Sequence, residues 1–441
     1  MFDYRRKGYQ PEYTEILQKL QKAQNDLFWE INQSGVRTDK KERIRPYIRK
    51  YLTDHQISLT GFTENELVER LLNDLECFSV LTPPLEDPNV EGITVNSWED
   101  IRVTFRTGSS CKIDGFQSSK HAIDIIRRLL QSSNITIDNA VPMAEASIGN
   151  NIRITALQAP LVDEDVGVCC YIRKLHRETW KRENYLDSGF ASDSELRFLE
   201  LAIRYGVSML IVGKVNSGKT TFLSYLLSTV PNEKQVVTIE SGAREMDLVK
   251  RDPSNRVVNN VMHLITRHSK LDEQNITQEK LVEKVLRLNG EIVSVAEMRN
   301  EEAYAAQEQS LTGVSVLSTA HAGSPRQAHK RVADLCRKRF PVDLQSAIMQ
   351  ACEAFPIVVF LHALPDNRRR IMEVAECITT SGKPEYRTLY HFDIEENIQN
   401  GNELKVIGRH VKKQEPSQEL FEHMARYGLS KQELSDWKER K

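Results

Sequence analysis

An eight-residue segment of this 441-residue chain carries the residue types that could bind a nucleotide triphosphate. The segment matches G-x-x-x-x-G-K-[ST] at every fixed position and reads Gly213-Lys214-Val215-Asn216-Ser217-Gly218-Lys219-Thr220. In such a loop, backbone N–H groups surround the phosphates, the lysine reaches the β- and γ-phosphates, and the hydroxyl ligates Mg²⁺. We predict a triphosphate site here that extends to Thr221, with Lys219 on the phosphates and Thr220 on the metal. A glycine-rich turn without a ligand is the alternative reading.

Three later apolar runs each end in a side chain that could act on such a phosphate. Residues 236–239 end at Glu240, residues 292–296 at Glu297 and residues 314–320 at His321. In open α/β sheets, ligands bind outside the carboxyl ends of the strands, so parallel strands would bring these groups together. Glu240 would then orient or deprotonate a water, Glu297 would hold the Mg²⁺ shell, and His321 would sense the γ-phosphate. Taken alone, each is also compatible with a solvated strand end.

The elements around these residues predict an α/β protein. A buried run, residues 208–212, precedes the loop and a helical run follows it, and strand-like and helix-like runs alternate to about residue 361. This alternation is typical of a mostly parallel sheet with helices on its faces. We predict a helical region at 1–82, a small α+β domain at 83–174, a linker at 175–192, a P-loop domain at 193–365, and C-terminal strands with a helical tail at 366–441. Ser192 or Asp193 is the predicted cap of the first helix after the linker, and Gly206 its end.

Composition excludes several classes of protein. The chain has 60 Lys and Arg against 62 Asp and Glu, for a net charge of −2, which argues against a dedicated duplex-DNA binder. No apolar run approaches the roughly 20 residues that span a bilayer, and the first residues lack the apolar stretch of a signal peptide. The seven cysteines include no C-x-x-C pair, so neither a zinc site nor a disulfide framework is predicted. We expect a cytosolic protein.

Taken in order, the motifs resemble those of the secretion-superfamily ATPases, the type II/type IV traffic ATPases. Thr238-Ile239-Glu240 is similar to the family's acidic Asp box, the segment 288–299 to its Walker B segment, and the segment 317–326 to its His box. Segments at 91–96, 149–153 and 171–174 resemble the family's N-terminal domain. The similarity covers about residues 65 to 365. The helical leader and the missing cysteine quartet point to the CpaF-like pilus-assembly branch.

This resemblance implies a RecA-like ATPase domain that hydrolyses ATP with Mg²⁺. It further implies a homohexameric ring, peripheral at the cytoplasmic face of an inner membrane, that acts on a membrane platform protein to power pilus assembly, conjugation or protein secretion. Arg153 and Arg173 match arginine positions that the family marks as facing the nucleotide, so we expect them to stabilise the transition state. The chain departs from the family pattern at Ser241, Glu291 and Ala296.

Two other functions stay open. A nucleic-acid motor of DNA transfer would use the same ATPase, and Arg337-Lys338-Arg339 and Arg368-Arg369-Arg370 are basic clusters that could contact DNA. Most such clusters are solvated faces or subunit contacts, so direct nucleic-acid binding is not expected. A scaffold that binds ATP without hydrolysing it is the second alternative, suggested by Ser241 and Glu291. A small-molecule kinase is disfavoured because no acceptor site is visible.

Overall fold

The computed structural model divides the chain into two compact units, Met1–His176 and Arg177–Lys441. It describes residues 12–13, 15–17, 19–20, 40–133, 135–149, 151–175, 180–267, 272–380, 382–400 and 403–439. Most of the N-terminal part of the predicted helical region therefore lies outside the described residues. No helix in the described part of the chain is long and apolar enough to cross a lipid bilayer.

The first unit contains a helical core and a separate antiparallel sheet. Residues 12–13, 15–17 and 19–20 are helical and pack Tyr13 and Leu20 against two helices, α1 (Lys40–Asp54) and α2 (Glu64–Glu76). A short helix, α3 (Thr82–Glu86), leads to the sheet, and α4 (Ser119–Gln131) buries its apolar face in the sheet's core. The strands are β1 (Val90–Val95), β2 (Ile101–Phe105), β3 (Ser110–Ile113), β4 (Met143–Ile148), β5 (Ile152–Gln158) and β6 (Val168–Lys174). Their order is β3-β2-β1-β6-β5-β4.

The second unit is one mixed sheet with helices packed against it, as the alternation of apolar runs predicts. Its strands are β7 (Met209–Gly213), β8 (Val236–Glu240), β9 (Val261–Ile265), β10 (Ile292–Val295), β11 (Ser315–Ala320), β12 (Ile357–Ala363), β13 (Arg369–Thr380), β14 (Lys383–Asn400) and β15 (Glu403–Lys412). Its helices are α5 (Arg182–Asp187), α6 (Asp193–Arg204), α7 (Lys219–Ser228), α8 (Gln278–Val285), α9 (Glu302–Leu311), α10 (Pro325–Arg339), α11 (Leu344–Ala354), α12 (Gln418–Arg426) and α13 (Lys431–Glu439).

Strand order and register bring the chemically useful residues to one edge of this sheet. The order is β15-β14-β13-β12-β7-β11-β10-β8-β9, and the strands from β12 to β9 pair in parallel. Val212 at the end of β7 pairs with Ala320 of β11, and Val295 at the end of β10 pairs with Ser318. The carboxyl ends of β7, β10 and β11 therefore lie side by side. This is the mostly parallel sheet that the alternating runs predict, with the RecA-like arrangement that the family resemblance implies.

Two predicted boundaries need correction. The segment 175–192 is not wholly a linker: α5 forms within it, and Tyr185 is 2% exposed among the rings of Phe190, Phe222 and Tyr225. Burial of this aromatic side chain stabilises the folded unit, and this favours packing of the segment over an exposed linker. Nor does residue 366 begin a separate unit, because β12 and β13 pair in register across that point. Residues 176–179 lie outside the described residues. The prediction for α6 is confirmed: Ser192 caps it in a capping box with Glu195, and Gly206 follows with a φ of 81°.

A buried ion pair anchors the turn between β12 and β13. Arg370 makes two hydrogen bonds to Asp366, of 3.0 and 2.8 Å, and the two side chains are 5% and 4% exposed. Burial alone would raise the pKa of Asp366, but the hydrogen bonds from Arg370 and the backbone N–H of Arg368 outweigh it and hold that pKa below its usual value. The last arginine of the predicted basic cluster Arg368-Arg369-Arg370 is thus buried in an internal ion pair and is not part of a surface for nucleic acid.

We expect Asp366→Asn to destabilise the protein by about 3–5 kcal/mol at neutral pH, because it leaves the Arg370 charge buried without its partner. A depressed carboxyl pKa contributes stability that is complete above the unfolded value, near 3.9, and is lost as the pH falls through the folded value. The difference between variant and parent should therefore shrink in acid. Urea unfolding at several pH values measures both effects.

Asp252→Asn is the matched control. Asp252 also pairs with an arginine four residues later, but Arg256 is 78% exposed, so the loss should be below about 1 kcal/mol. Equal losses in the two variants would contradict the role assigned to burial of the Asp366–Arg370 pair.

Candidate functional site

The phosphate loop joins β7 to the first turn of α7, as the sequence predicts. A Cβ on Gly213 would lie 2.3 Å from the carbonyl oxygen of Leu361 and 2.6 Å from Oγ of Ser217, so only glycine fits there. Gly218 caps α7 with a φ of 91°, in the left-handed region that favours glycine. These two glycines let the backbone turn tightly and leave the N–H groups of the helix N-terminus available to an anion.

Side chains from inside and outside the loop hold its shape. Oγ of Ser217 donates to the carbonyl oxygen of Lys214 at 2.9 Å, and Nε of Arg369 donates to the carbonyl oxygen of Asn216 at 2.8 Å. Arg369 begins β13, so the antiparallel part of the sheet supports the loop. Sequence reasoning placed Arg369 in a basic cluster and missed this contact, for which the sequence has no local signal.

The side chains of Lys219, His321 and Glu297 come together at the carboxyl ends of β7, β11 and β10. Nζ of Lys219 donates to the carbonyl oxygens of Gly213 and Lys214 at 3.1 and 2.8 Å, and lies 3.4 Å from Nδ1 of His321. Nε2 of His321 lies 2.9 Å from Oε1 of Glu297. His321 therefore lies between the phosphate-loop lysine and a carboxylate, in contact with both.

Electrostatics keep this carboxylate charged. Burial alone would raise the pKa of Glu297, but the hydrogen bond from Arg299 and the charges of Arg299, His321 and Lys219 outweigh it and hold that pKa below its usual value. Burial lowers the pKa of Lys219, while the charge of Glu297 opposes that shift. An ionised Glu297 can accept a proton or ligate a cation.

Arg299 is a second residue that sequence reasoning did not single out. Its guanidinium hydrogen-bonds to Glu297, and its backbone N–H donates to Glu302 at the start of α9. The signal was present, because an arginine two residues after a strand-end glutamate can fold back on it. Arg299 therefore positions the carboxylate, and a ligand that approaches Glu297 competes with this pair.

The structure does not bring Glu240 into the cluster, contrary to the predicted convergence. In the sheet order β7 and β8 are three strand spacings apart, or about 14 Å at the usual spacing. The side chain of Glu240 is 1% exposed, and its Oε2 accepts hydrogen bonds from the backbone N–H groups of Glu245 and Met246 at 2.6 and 3.1 Å. These contacts make Glu240 an anchor for the segment after β8.

Glu291, at the family's Walker B aspartate position, lies at the opposite end of the strand. It precedes β10, and its Oε1 accepts a hydrogen bond from the backbone N–H of Gln235 at 3.1 Å. This position is at the amino-terminal edge of the sheet, away from the phosphate loop. The presence of glutamate instead of the family's aspartate at position 291 therefore affects a contact at the start of β10, far from the phosphate-binding residue Lys219.

Thr220 and Glu297 are the residues that could hold Mg²⁺. Thr220 follows Lys219 in the first turn of α7 and is partly exposed, and Glu297 is 22% exposed. A hydroxyl and a carboxylate are the hard oxygen ligands that Mg²⁺ takes beside phosphates and water. The donor set therefore fits the metal that the sequence predicts.

A cavity of about 390 Å³ opens beside the phosphate loop. It is lined by the aromatic residues Trp180, Tyr185 and Phe190 together with Gly218 and Thr221 of the loop and α7. An aromatic wall next to a phosphate site suits the planar base of a nucleotide, because any base can stack favourably on an aromatic ring. The sequence did not predict this cavity, since its wall lies in the segment interpreted as a linker.

Arg153 and Arg173 lie in the first unit as direct cross-strand partners on β5 and β6. Directly opposed residues of an antiparallel pair point to the same face, and like charges placed this way repel. Their neighbours Ile154 and Ile172 are buried in the core of the unit. A paired arginine face of this kind is suited to an anion, and the role of these arginines at the nucleotide stays a prediction.

Comparison with known proteins identifies the family to which this chain is similar. The family described as "Type II/IV secretion system protein" matches residues 85–379. An uncharacterised protein of Methanocaldococcus jannaschii is 24% identical over 322 residues, 73% of this chain and 55% of that protein. The type IV secretion system protein PtlH of Bordetella pertussis is 28% identical over 40% of this chain and 52% of its own length. The chain thus spans about half the length of these two curated relatives.

The solved structures to which this chain is similar include a pilus retraction motor and an ATPase. The pilus retraction motor PilT with bound ADP has 14% identity and a TM-score of 0.49, over 80% of this chain and 87% of that one. The ATPase DotB of Legionella pneumophila has 18% identity and a TM-score of 0.48, over 73% and 83%. The family match covers well over half of the chain, including the phosphate loop, Glu297 and His321. The chain therefore belongs to the type II/IV secretion system protein family.

Proposed function

We propose that this chain hydrolyses ATP as the motor of a pilus-assembly, conjugation or protein-secretion system. The observation that carries the proposal is the cluster of Lys219, His321 and Glu297. It lies beside a phosphate loop whose first position, Gly213, has room only for glycine. Nucleotide binding alone needs the loop and Lys219, whereas hydrolysis also needs a base close to the phosphates, and the ionised Glu297 supplies one.

Each residue of the cluster has a defined part in this reaction. Lys219 and the N–H groups of the loop neutralise the β- and γ-phosphates, and Glu297 orients the attacking water and takes its proton. Thr220 and Glu297 would hold Mg²⁺, which would supply positive charge to the phosphate oxygens. His321 connects the γ-phosphate position to Glu297. Glu240, the base expected from the sequence, instead holds the segment after β8.

The assembly implied by the family is part of the proposal. We infer that the chain works as a homohexamer, with Arg153 and Arg173 reaching the nucleotide in the ring. Work on a membrane requires an attachment, and we propose a platform protein at the cytoplasmic face of an inner membrane. The CpaF-like branch of the family fits the helical leader, and it would assign the chain to pilus assembly.

The experiment is a comparison of nucleotide binding with nucleotide turnover in the purified full-length chain. We expect ATP to bind and phosphate to be released, and we expect release to stop when Mg²⁺ is removed. Binding without release under conditions of full occupancy would support the scaffold and overturn the motor. Stimulation of turnover by single-stranded DNA, with a steep dependence on salt, would favour the nucleic-acid motor instead.

A further inference from the structure

Three buried side chains far apart in sequence meet on the second unit, away from the phosphate loop. His329 of α10, Cys352 of α11 and Cys377 of β13 are 0%, 1% and 6% exposed. One ligand atom from each, an imidazole nitrogen and two sulfurs, lies within 4.8 Å of the other two. Two thiols and an imidazole are the donors that zinc prefers in structural sites.

The surroundings of His329 select the nitrogen that can face a metal. Nε2 of His329 lies 2.8 Å from the carbonyl oxygen of Phe355, an acceptor, so this nitrogen carries the proton. Nδ1 is then the nitrogen with a lone pair. Metal-bound histidines commonly donate their other N–H to a backbone carbonyl in this way, which fixes the tautomer and the ring orientation.

Tyr386 of β14 supplies a fourth donor at the same place. Its hydroxyl lies 3.0 Å from Nδ1 of His329 and 3.7 Å from Sγ of Cys352. A tetrahedral zinc ion with bonds of about 2.0–2.3 Å separates its donors by about 3.3–3.8 Å. The contacts of Tyr386 at 3.0 and 3.7 Å and the 4.8 Å limit on the other three donors bracket these separations, so small side-chain rotations would give a tetrahedral set.

We propose that His329, Cys352 and Cys377 bind a zinc ion, with the oxygen of Tyr386 in the fourth position. Each thiol releases its proton when it binds, so two thiolates balance the charge of Zn²⁺ in this buried place. The ion would join α10, α11, β13 and β14, and α10 begins at Pro325, four residues after His321. The proposed role is therefore to fix the helix that follows the histidine of the nucleotide site.

The sequence predicts no zinc site because it has no C-x-x-C pair. The spacing of the three proposed ligands explains why that prediction differs from the structure. The three ligands are separated by more than twenty residues each. Zinc motifs are recognised from sequence when at least two ligands lie in one turn or one knuckle. Here each ligand comes from a different element, so only the packing of α10 and α11 against the sheet reveals them.

The test measures zinc in the full-length chain, purified without an immobilised-metal column. We expect about one zinc per chain in the parent and almost none in Cys352→Ser, Cys377→Ser and His329→Gln. The glutamine keeps a polar group near Nε2 while it removes Nδ1. Cys336→Ser is the matched control, because Cys336 is a buried cysteine of α10 whose sulfur lies 3.6 Å from Oε1 of Gln307, outside the cluster. This variant should keep its zinc.

A second measurement does not depend on whether the variants fold. Chelated parent protein titrated with Co²⁺ should bind one equivalent and show the absorption bands of a tetrahedral site with thiolate ligands. A parent protein that neither contains zinc nor binds Co²⁺ would overturn the proposal. So would zinc retained in all three ligand variants, or a Cys352–Cys377 disulfide in metal-free protein isolated under reducing conditions.

Discussion

Replacing Lys219 with alanine is expected to lower ATP turnover by a factor of about 10²–10³, the usual cost of removing one preorganised charge-stabilising donor. Nζ of Lys219 is held between the carbonyl oxygens of Gly213 and Lys214, so it is already positioned beside the loop. The variant should fold normally, because Gly213, Gly218 and the Ser217 hydrogen bond that shape the loop are unchanged. Phosphate release by the purified variant measures the effect.

Lys214→Ala is the control for this result. Lys214 lies in the same loop, but it is exposed and its side chain is not required by the phosphate-loop pattern. It should retain most of the turnover. Unchanged turnover in Lys219→Ala, or equal losses in both variants, would remove Lys219 from the proposed site.

Glu297→Gln is expected to lower turnover by about 10²–10⁴, because a neutral amide keeps the shape of the side chain but cannot take a proton. ATP should still bind, since the phosphate loop is untouched. Glu297 is 22% exposed, so the change should have little effect on stability. Single-turnover phosphate release, measured with ATP in excess of its dissociation constant, separates chemistry from binding.

Glu240→Gln is the matched comparison. The amide oxygen can still accept hydrogen bonds from Glu245 and Met246, although it loses the strength that the charge gives them. We expect a loss of about 1 kcal/mol in stability and a much smaller loss of turnover than in Glu297→Gln. The opposite ranking would restore Glu240 as the base, as the sequence suggested.

The sequence predicts the centre of the second unit well because the patterns that specify its strands and phosphate loop lie within short segments of the chain. The strands β7, β8, β10 and β11 are buried along their whole length and appear as short apolar runs. Parallel strands that are covered on both faces need continuous apolar sequences, and the crossover connections between them along the chain are usually helices. The phosphate loop is equally local, since its glycines and lysine act within eight residues.

What the sequence could not predict depends on distant contacts. The order of strands decides that Glu240 lies away from Lys219, and no pattern along the chain encodes that order. Arg369 supports the phosphate loop from more than 150 residues away. The aromatic packing of Tyr185 turns an apparent linker into part of the core. Arg369 and the segment around Tyr185 were interpreted as solvated because their stretches are polar or charged, and tertiary packing gives both of them partners.

The proposed function requires Lys219, Thr220 and Glu297 to surround one Mg²⁺–triphosphate. The decisive measurement is a crystal structure of the chain with Mg²⁺ and a non-hydrolysable ATP analogue. We expect the β- and γ-phosphates in the loop, Nζ of Lys219 moved from the carbonyl oxygens onto them, and the metal on the hydroxyl of Thr220. We also expect Glu297 within hydrogen-bond reach of a water beside the γ-phosphate. A nucleotide bound elsewhere, or phosphates in the loop with Glu240 on that water, would contradict it.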